Sequence, residues 1–313
     1  MTISFTRGVL FGLIAVSLWG AQLPMAKAAF AQVDLMTVNV ARYGIAALVL
    51  TPIFLVREGR AGFDYEGRFL AVAVIGVGGM AMSALLVFWG LSYTLPENAV
   101  VILALQPSLA ALADWRLRGR RPLAGTQVCI AMAFAGVIMV VTKGEPTIAL
   151  SPRDLLGDLL VLLGASCWVG YTLAAGSFRH WTSMRFTYLS MLPAAAFFGA
   201  LALVAWLSRL SPTPTAAAIW SVAPHLAYLS LAGVVVAMLL WNAGNQRIGG
   251  LNSALLLNLM PVITFTVRFL QGQRFRMIEM LGALLVVGAL VANNLLTRQD
   301  RARAEVPAPQ AEP

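Results

Sequence analysis

Charge is what this sequence most lacks. Only 11% of its 313 residues are charged, against roughly 25% in an ordinary soluble domain, while 59% are hydrophobic. A water-soluble fold has too little polar surface to cover so much apolar side chain. Cysteine is scarce as well: Cys129 and Cys167 each fall inside an apolar run, where a thiol behaves as a small hydrophobe, so neither a disulfide nor a metal site is expected. The sequence has no His-Glu-x-x-His, no G-x-S-x-G and no paired mid-span aspartates, the constellations an intramembrane enzyme needs, and no cofactor is expected. Carboxylates are missing from mid-span positions, because Glu97, Asp114, Asp158 and Glu279 all sit near the ends of apolar runs. Proton-coupled carriers usually keep a carboxylate or histidine in the bilayer interior, so facilitated or weakly coupled movement is expected.

What the chain does have is apolar runs of about 20 residues spread along its whole length, with a mean hydropathy of +0.81. In lipid every backbone polar group must be satisfied within the structure, which leaves helices or a closed barrel. The runs are continuous and lack the alternation of barrel strands, so the reading is an all-α membrane protein. Ten spans are placed near 8–30, 36–56, 69–92, 97–117, 123–142, 155–178, 184–207, 223–244, 251–271 and 277–297. The polar residues 298–313 read as a disordered cytoplasmic tail. At the N-terminus, Arg7, the run from Gly8 to Ala21 and Ala26-Lys27-Ala28 mimic a secretory signal, but the run continues through Phe30 and is read as a span.

Basic residues fix the expected orientation. The loops on the side of the termini carry fourteen, among them Arg57, Arg60, Arg68, Arg118, Arg120 and Arg121, whereas the other side carries five: Lys143, Arg153, Arg209, Arg274 and Arg276. The positive-inside rule then puts both termini in the cytoplasm of a bacterial cell, in a multi-pass inner-membrane protein. It also explains the net charge of +9 without nucleic acid. The lipid bilayer and a small-molecule solute are the expected partners, and the expected form is a monomer.

The chain repeats itself. Gly8 precedes Trp19 by eleven residues and Gly157 precedes Trp168 by eleven; Phe88-Trp89-Gly90 pairs with Leu240-Trp241-Asn242, and Leu105-Gln106-Pro107 with Leu259-Met260-Pro261. The offsets are 149, 152 and 154. Residues 1–145 and 146–297 are therefore read as two five-helix units. Five is odd, so the second unit enters the membrane inverted, and a solute site is expected at the interface near the midplane.

Polar and aromatic groups inside the spans are the candidates for that site. Trp19 and Gln22 share one face of span 1, as Trp168 and Tyr171 share one of span 6, and would converge as an apolar wall with sparse polar anchors. Trp89 and Tyr93, and Trp241 and Asn245, are i,i+4 pairs on spans 3 and 8. Asn98, Gln106 and Asn258 lie on spans 4 and 9 as further substrate-binding candidates. Lys27, late in span 1, would meet a substrate carboxylate or snorkel to the interface. Pro24, Pro107 and Pro261 are expected to break their helices and free backbone carbonyls. Arg42 is expected near the outer third of span 2 or paired internally, and Arg268 to snorkel toward Arg274 and Arg276.

The Gly8–Trp19-Gly20 run, Arg42, the Pro107 and Pro261 helices, and Gly136 and Gly288 together resemble the drug/metabolite transporter superfamily, in particular its EamA-type ten-helix members. Within it the chain looks like bacterial exporters of amino acids, the aromatic amino-acid exporters of the YddG type among them. The resemblance implies alternating access at a central cavity lined by spans 1, 3, 4, 6, 8 and 9, with spans 5 and 10 set apart. Asp114 and Gln271 or Gln273 stand where that family often has Glu. A proton-coupled exporter of drugs or other metabolites is the alternative.

Overall fold

A computed structural model describes residues 3–119, 121–145, 151–178, 180–248 and 256–304. These are mostly helical, and among them nine helices are long and apolar enough to cross a membrane. They are α1 (Ile3–Ala29), α2 (Leu35–Glu58), α3 (Phe69–Tyr93), α4 (Pro96–Leu117), α5 (Ala124–Thr142), α6 (Pro152–Ala175), α7 (Ser183–Leu207), α8 (Ala223–Ile248) and α10 (Met277–Ala304). The apolar helix α9 (Leu259–Leu270) has 12 residues and stands where span 9 is expected; residues 251–255 of that span lie outside the described residues. Outward-facing Leu48, Leu70, Val128, Leu207 and Leu284 are more than half exposed, so the bundle is apolar outside as well as inside, as lipid requires.

Local chemistry shapes several helices. Asp34 caps α2 by accepting the Met36 and Thr37 amides. Helix α4 is broken at Ala104 and Leu105 ahead of Gln106-Pro107, and α9 begins after a turn at Asn258 ahead of Pro261, because a proline cannot donate to the preceding turn. The expected break at Pro24 does not occur. Helix α1 runs unbroken through it, and the Gly20 carbonyl that Pro24 leaves without a partner accepts the buried Thr264 hydroxyl. Pro193 in α7 works alike: Leu189, four residues earlier, accepts the Tyr65 hydroxyl at 3.2 Å. Helix α10 continues to Ala304, past Arg298 where a disordered tail is expected, since the Gln, Arg and Ala that follow are good helix formers. Both α3 and α8 contain a π-helical segment, Gly76–Ala81 and Tyr228–Val236.

The two halves meet through equivalent contacts. Helix α1 packs on α8 and α9 as α6 packs on α3 and α4, α2 on α7, and α5 on α10. Small residues set the distances. Gly157 faces Gly90, and Gly244 faces Gly8: a methyl added at Gly157 or at Gly244 would stand 2.9 Å from the opposing carbonyl oxygen. Gly79 abuts Tyr171 as Gly233 abuts Gln22. These pairs hold an offset of 149 between α1 and α6 and of 154 between α3 and α8. The offset of 152 read from Trp89 and Trp241 is therefore corrected: Trp241 is equivalent to Val87, because packing follows the glycines and not the tryptophans. On α5 and α10, Gly136 meets Gly282, while Gly288 has open space around it.

Candidate functional site

Between the repeats lies a cavity of about 180 Å³. Trp19, Gln22 and Leu23 of α1, Met80 to Phe88 of α3, Gln106 of α4, Trp168 of α6, Gly233 to Trp241 of α8 and Met260 of α9 line it. Helices α2 and α7, which the family resemblance does not place at the cavity, supply Arg42, Tyr43 and Met191. A vestibule of about 580 Å³ shares Trp19, Gln106, Trp168 and Trp241 with the cavity and runs past Tyr171 and Pro107 to Phe178, Trp181 and Thr182. Those last residues belong to the α6–α7 turn, at the end of the bundle that carries both termini. The cavity is thus reached from that end.

The wall is held by hydrogen bonds, two of which span the repeats. Trp19 Nε1 donates to the Gly233 carbonyl at 2.9 Å. This carbonyl is available because the π-helical turn sends the Ala237 amide to Ala232 and Val234, where an α-helix would aim it at Gly233. The Trp19 ring also contacts Trp241, centroids 5.3 Å apart, and Trp168 stacks on Tyr171 at 5.2 Å. Tyr171 shares a hydrogen bond of 3.2 Å with Ser190, and Tyr228 donates to Leu18 at 2.7 Å. Besides the tryptophans, the polar residues at the space are few: Gln22, Tyr43, Ser83, Gln106 and Arg42, whose Nη2 donates to Gln22 Oε1 at 3.0 Å.

The opposite end is closed. Lys27 Nζ donates to the carbonyls of Leu91, Ser92 and Thr94 at 2.6, 3.3 and 2.9 Å, which caps the end of α3. It shares a separate recess of about 240 Å³ there with Tyr93, Asn98 and Asp158, away from the tryptophans of the cavity. Asn98 donates to Thr94 and Thr94 to Asp158, at 3.3 and 2.6 Å. Arg268 reaches the following loop, where Nη1 and Nη2 donate to Gln271 and Gln273 at 3.1 and 3.3 Å, and its Nε pairs at 3.0 Å with Glu97, which is fully buried, so that the two repeats are tied together. At the end with the termini, Arg185 and His180 hold Glu66 at 2.9 and 3.0 Å.

The sequence candidates thus separate. Trp19, Gln22, Gln106, Trp168, Tyr171 and Trp241 converge on the cavity and its vestibule, with Pro107 beside them. Lys27, Tyr93 and Asn98 gather in the recess. Trp89 leaves the site altogether: it is 43% exposed on the outer surface, its indole 3.4 Å from the Tyr93 hydroxyl, because the register shift that equates Trp241 with Val87 turns Trp89 outward. Asn258 is buried in the break before α9, and the Asn245 side chain lies outside the described residues. Arg42, expected near the outer third of span 2 or paired internally, instead lines the cavity while bonded to Gln22, and neither it nor Met191 is among the substrate-binding residues expected from the sequence, although an arginine in mid-span is a signal of function in itself.

A helical bundle of two head-to-foot halves around a cavity open toward one end has the architecture of a secondary transporter. The EamA-like transporter family model matches residues 6–142 and 155–295, one copy per repeat, and the chain belongs to that family. It is a transporter and not an enzyme. Among its relatives, the Bacillus subtilis (strain 168) protein named "Uncharacterized transporter YrdR" is 28% identical over 297 residues, covering 94% of this chain and 92% of that one. "Uncharacterized transporter YyaM" of the same organism is 29% identical over 267 residues, covering 82% and 83%. A solved crystal structure with a TM-score of 0.67 covers 96% of this chain and 99% of its own at 22% identity, a likeness of fold.

Proposed function

We propose that this transporter exports small amphipathic organic solutes, neutral or aromatic amino acids foremost, from the cytoplasm across a bacterial inner membrane. Units 1–145 and 146–297 rock against each other about the cavity, and both termini face the cytoplasm. The observation that carries this reading is the convergence of Trp19, Trp168 and Trp241 on a cavity with only a few polar anchors, reached from the end rich in arginine. Such a wall binds the apolar body of a solute, and the anchors orient its polar end. The Glu97–Arg268 pair would close the far side in this state and separate in the other. Uptake of labelled threonine, methionine and tryptophan into proteoliposomes tests the proposal. Saturable uptake of at least one is expected; transport of none, by protein that remains folded, would overturn the substrate class.

Proton coupling is favoured by one observation. Asp158 is buried in the recess beside Lys27, and its Oδ2 has no hydrogen-bond partner. Facilitated movement predicts uptake insensitive to an imposed pH gradient, whereas coupling through Asp158 predicts stimulation that Asp158→Asn abolishes.

A further inference from the structure

We infer that Arg42 is the anchor for a carboxylate on the transported solute, and that the site recognises this group and not an ammonium. The inference rests on the proposed reading of the cavity as the solute site. Lys27 and Arg268 stand in the last turns of α1 and α9, whereas Arg42 lies well inside α2, and the first two are satisfied by the scaffold: Arg268 by Glu97, Lys27 by three carbonyls. Arg42 is not. Its guanidinium lines the cavity, donates to Gln22 and lies 5.0 Å over the Phe88 ring and 5.6 Å from that of Tyr43, while its Nε is buried without a hydrogen-bond partner. Among the described residues no carboxylate is within 4.0 Å of it, and none lines the cavity or its vestibule. A cation so placed is costly until an anion meets it, and a planar guanidinium suits a carboxylate in particular.

The inverted symmetry shows that the fold itself does not require the charge. Ser190 packs its backbone on Gly76 as Ala41 accepts the Ser230 hydroxyl, which fixes an offset of 149 between α2 and α7. The counterpart of Arg42 is therefore Met191, which lines the same cavity from the other repeat. One of two equivalent positions is filled by an apolar side chain of similar length. The charge is then an asymmetry of the site, in a cavity whose tryptophans offer no anion. A solute with a carboxylate and an apolar body matches both features.

Binding of tryptophan, indole-3-propionate and tryptamine to the purified full chain tests this, because the second lacks the ammonium and the third the carboxylate. The wild type is expected to bind the first two and tryptamine at least ten-fold more weakly. Arg42→Met, which copies the other repeat, is expected to weaken the two carboxylates ten-fold or more and erase their advantage over tryptamine. Arg42→Lys should keep the order of the three with reduced affinity, and it decides the matter if Arg42→Met does not fold. Retention of the carboxylate preference in folded Arg42→Met, or equal binding of all three by the wild type, would overturn the role of Arg42 and leave the transporter reading standing. Failure of the wild type to bind any of them would instead remove the aromatic amino-acid reading, and this inference with it.

Discussion

Gly136 on α5 and Gly282 on α10 touch backbone to backbone, so that a methyl added to either would lie 2.6 to 2.7 Å from the carbonyl oxygen of the other. The contact is its own symmetry mate, which places it on the axis relating the repeats. Neither helix lines the cavity, so this is scaffold. Gly136→Ala or Gly282→Ala is expected to destabilise the bundle by about 1–3 kcal/mol through overpacking. Gly44→Ala, with open space around it, should be neutral or slightly stabilising. Thermal unfolding in detergent checks both, and equal effects at all three would argue against close packing at the axis.

Trp19→Phe keeps a ring in the cavity wall but deletes the bond to Gly233. A loss of about 1 kcal/mol is expected, with weaker solute binding from the loosened wall. Trp89→Phe, on the outer surface, should change binding little. Affinity measured side by side for the two variants separates wall from surface, and an equal loss for both would contradict the corrected register.

Lys27→Met removes the donor that satisfies three carbonyls at the end of α3. A loss of roughly 1–3 kcal/mol in stability is expected while solute affinity at the tryptophan cavity stays near wild type. If instead affinity collapses in protein of unaltered stability, Lys27 belongs to the solute path.

Thr264→Val leaves the Gly20 carbonyl, already short of its helical partner at Pro24, buried with no donor. The expected cost is about 1–3 kcal/mol. In the double variant Pro24→Ala, Thr264→Val the backbone amide regained at that position of α1 should recover much of it. A double-mutant cycle on unfolding free energy reads this coupling, and strict additivity would mean that the two residues do not share the carbonyl.

Much of this architecture is legible in the sequence. Apolar run lengths place the helices, and the Gly-to-Trp spacing exposes the duplication. The turns in α4 and ahead of α9 follow from Pro107 and Pro261. Three things are not legible. The register of α8 against α3 depends on which small residues meet across the interface, and tryptophans that merely recur, Trp89 and Trp241, mislead. The π-helical segments carry no local signal, yet one of them frees the carbonyl that holds Trp19. Finally, which polar residue is spent on structure and which faces the cavity depends on neighbours far away in sequence: Arg268 finds Glu97 171 residues off, while Arg42 finds no anion among the described residues.

The claim that the repeats enclose one solute site, open to one end at a time, is tested most directly by accessibility from each end. With Cys129 and Cys167 replaced by alanine, Gln106→Cys in sealed, oriented proteoliposomes is treated with a membrane-impermeant thiol reagent on either side. Modification is expected from the side of the termini and should slow when the transported solute is added. Modification from neither side, or at the same rate from both with solute making no difference, would contradict a shared, alternately exposed cavity.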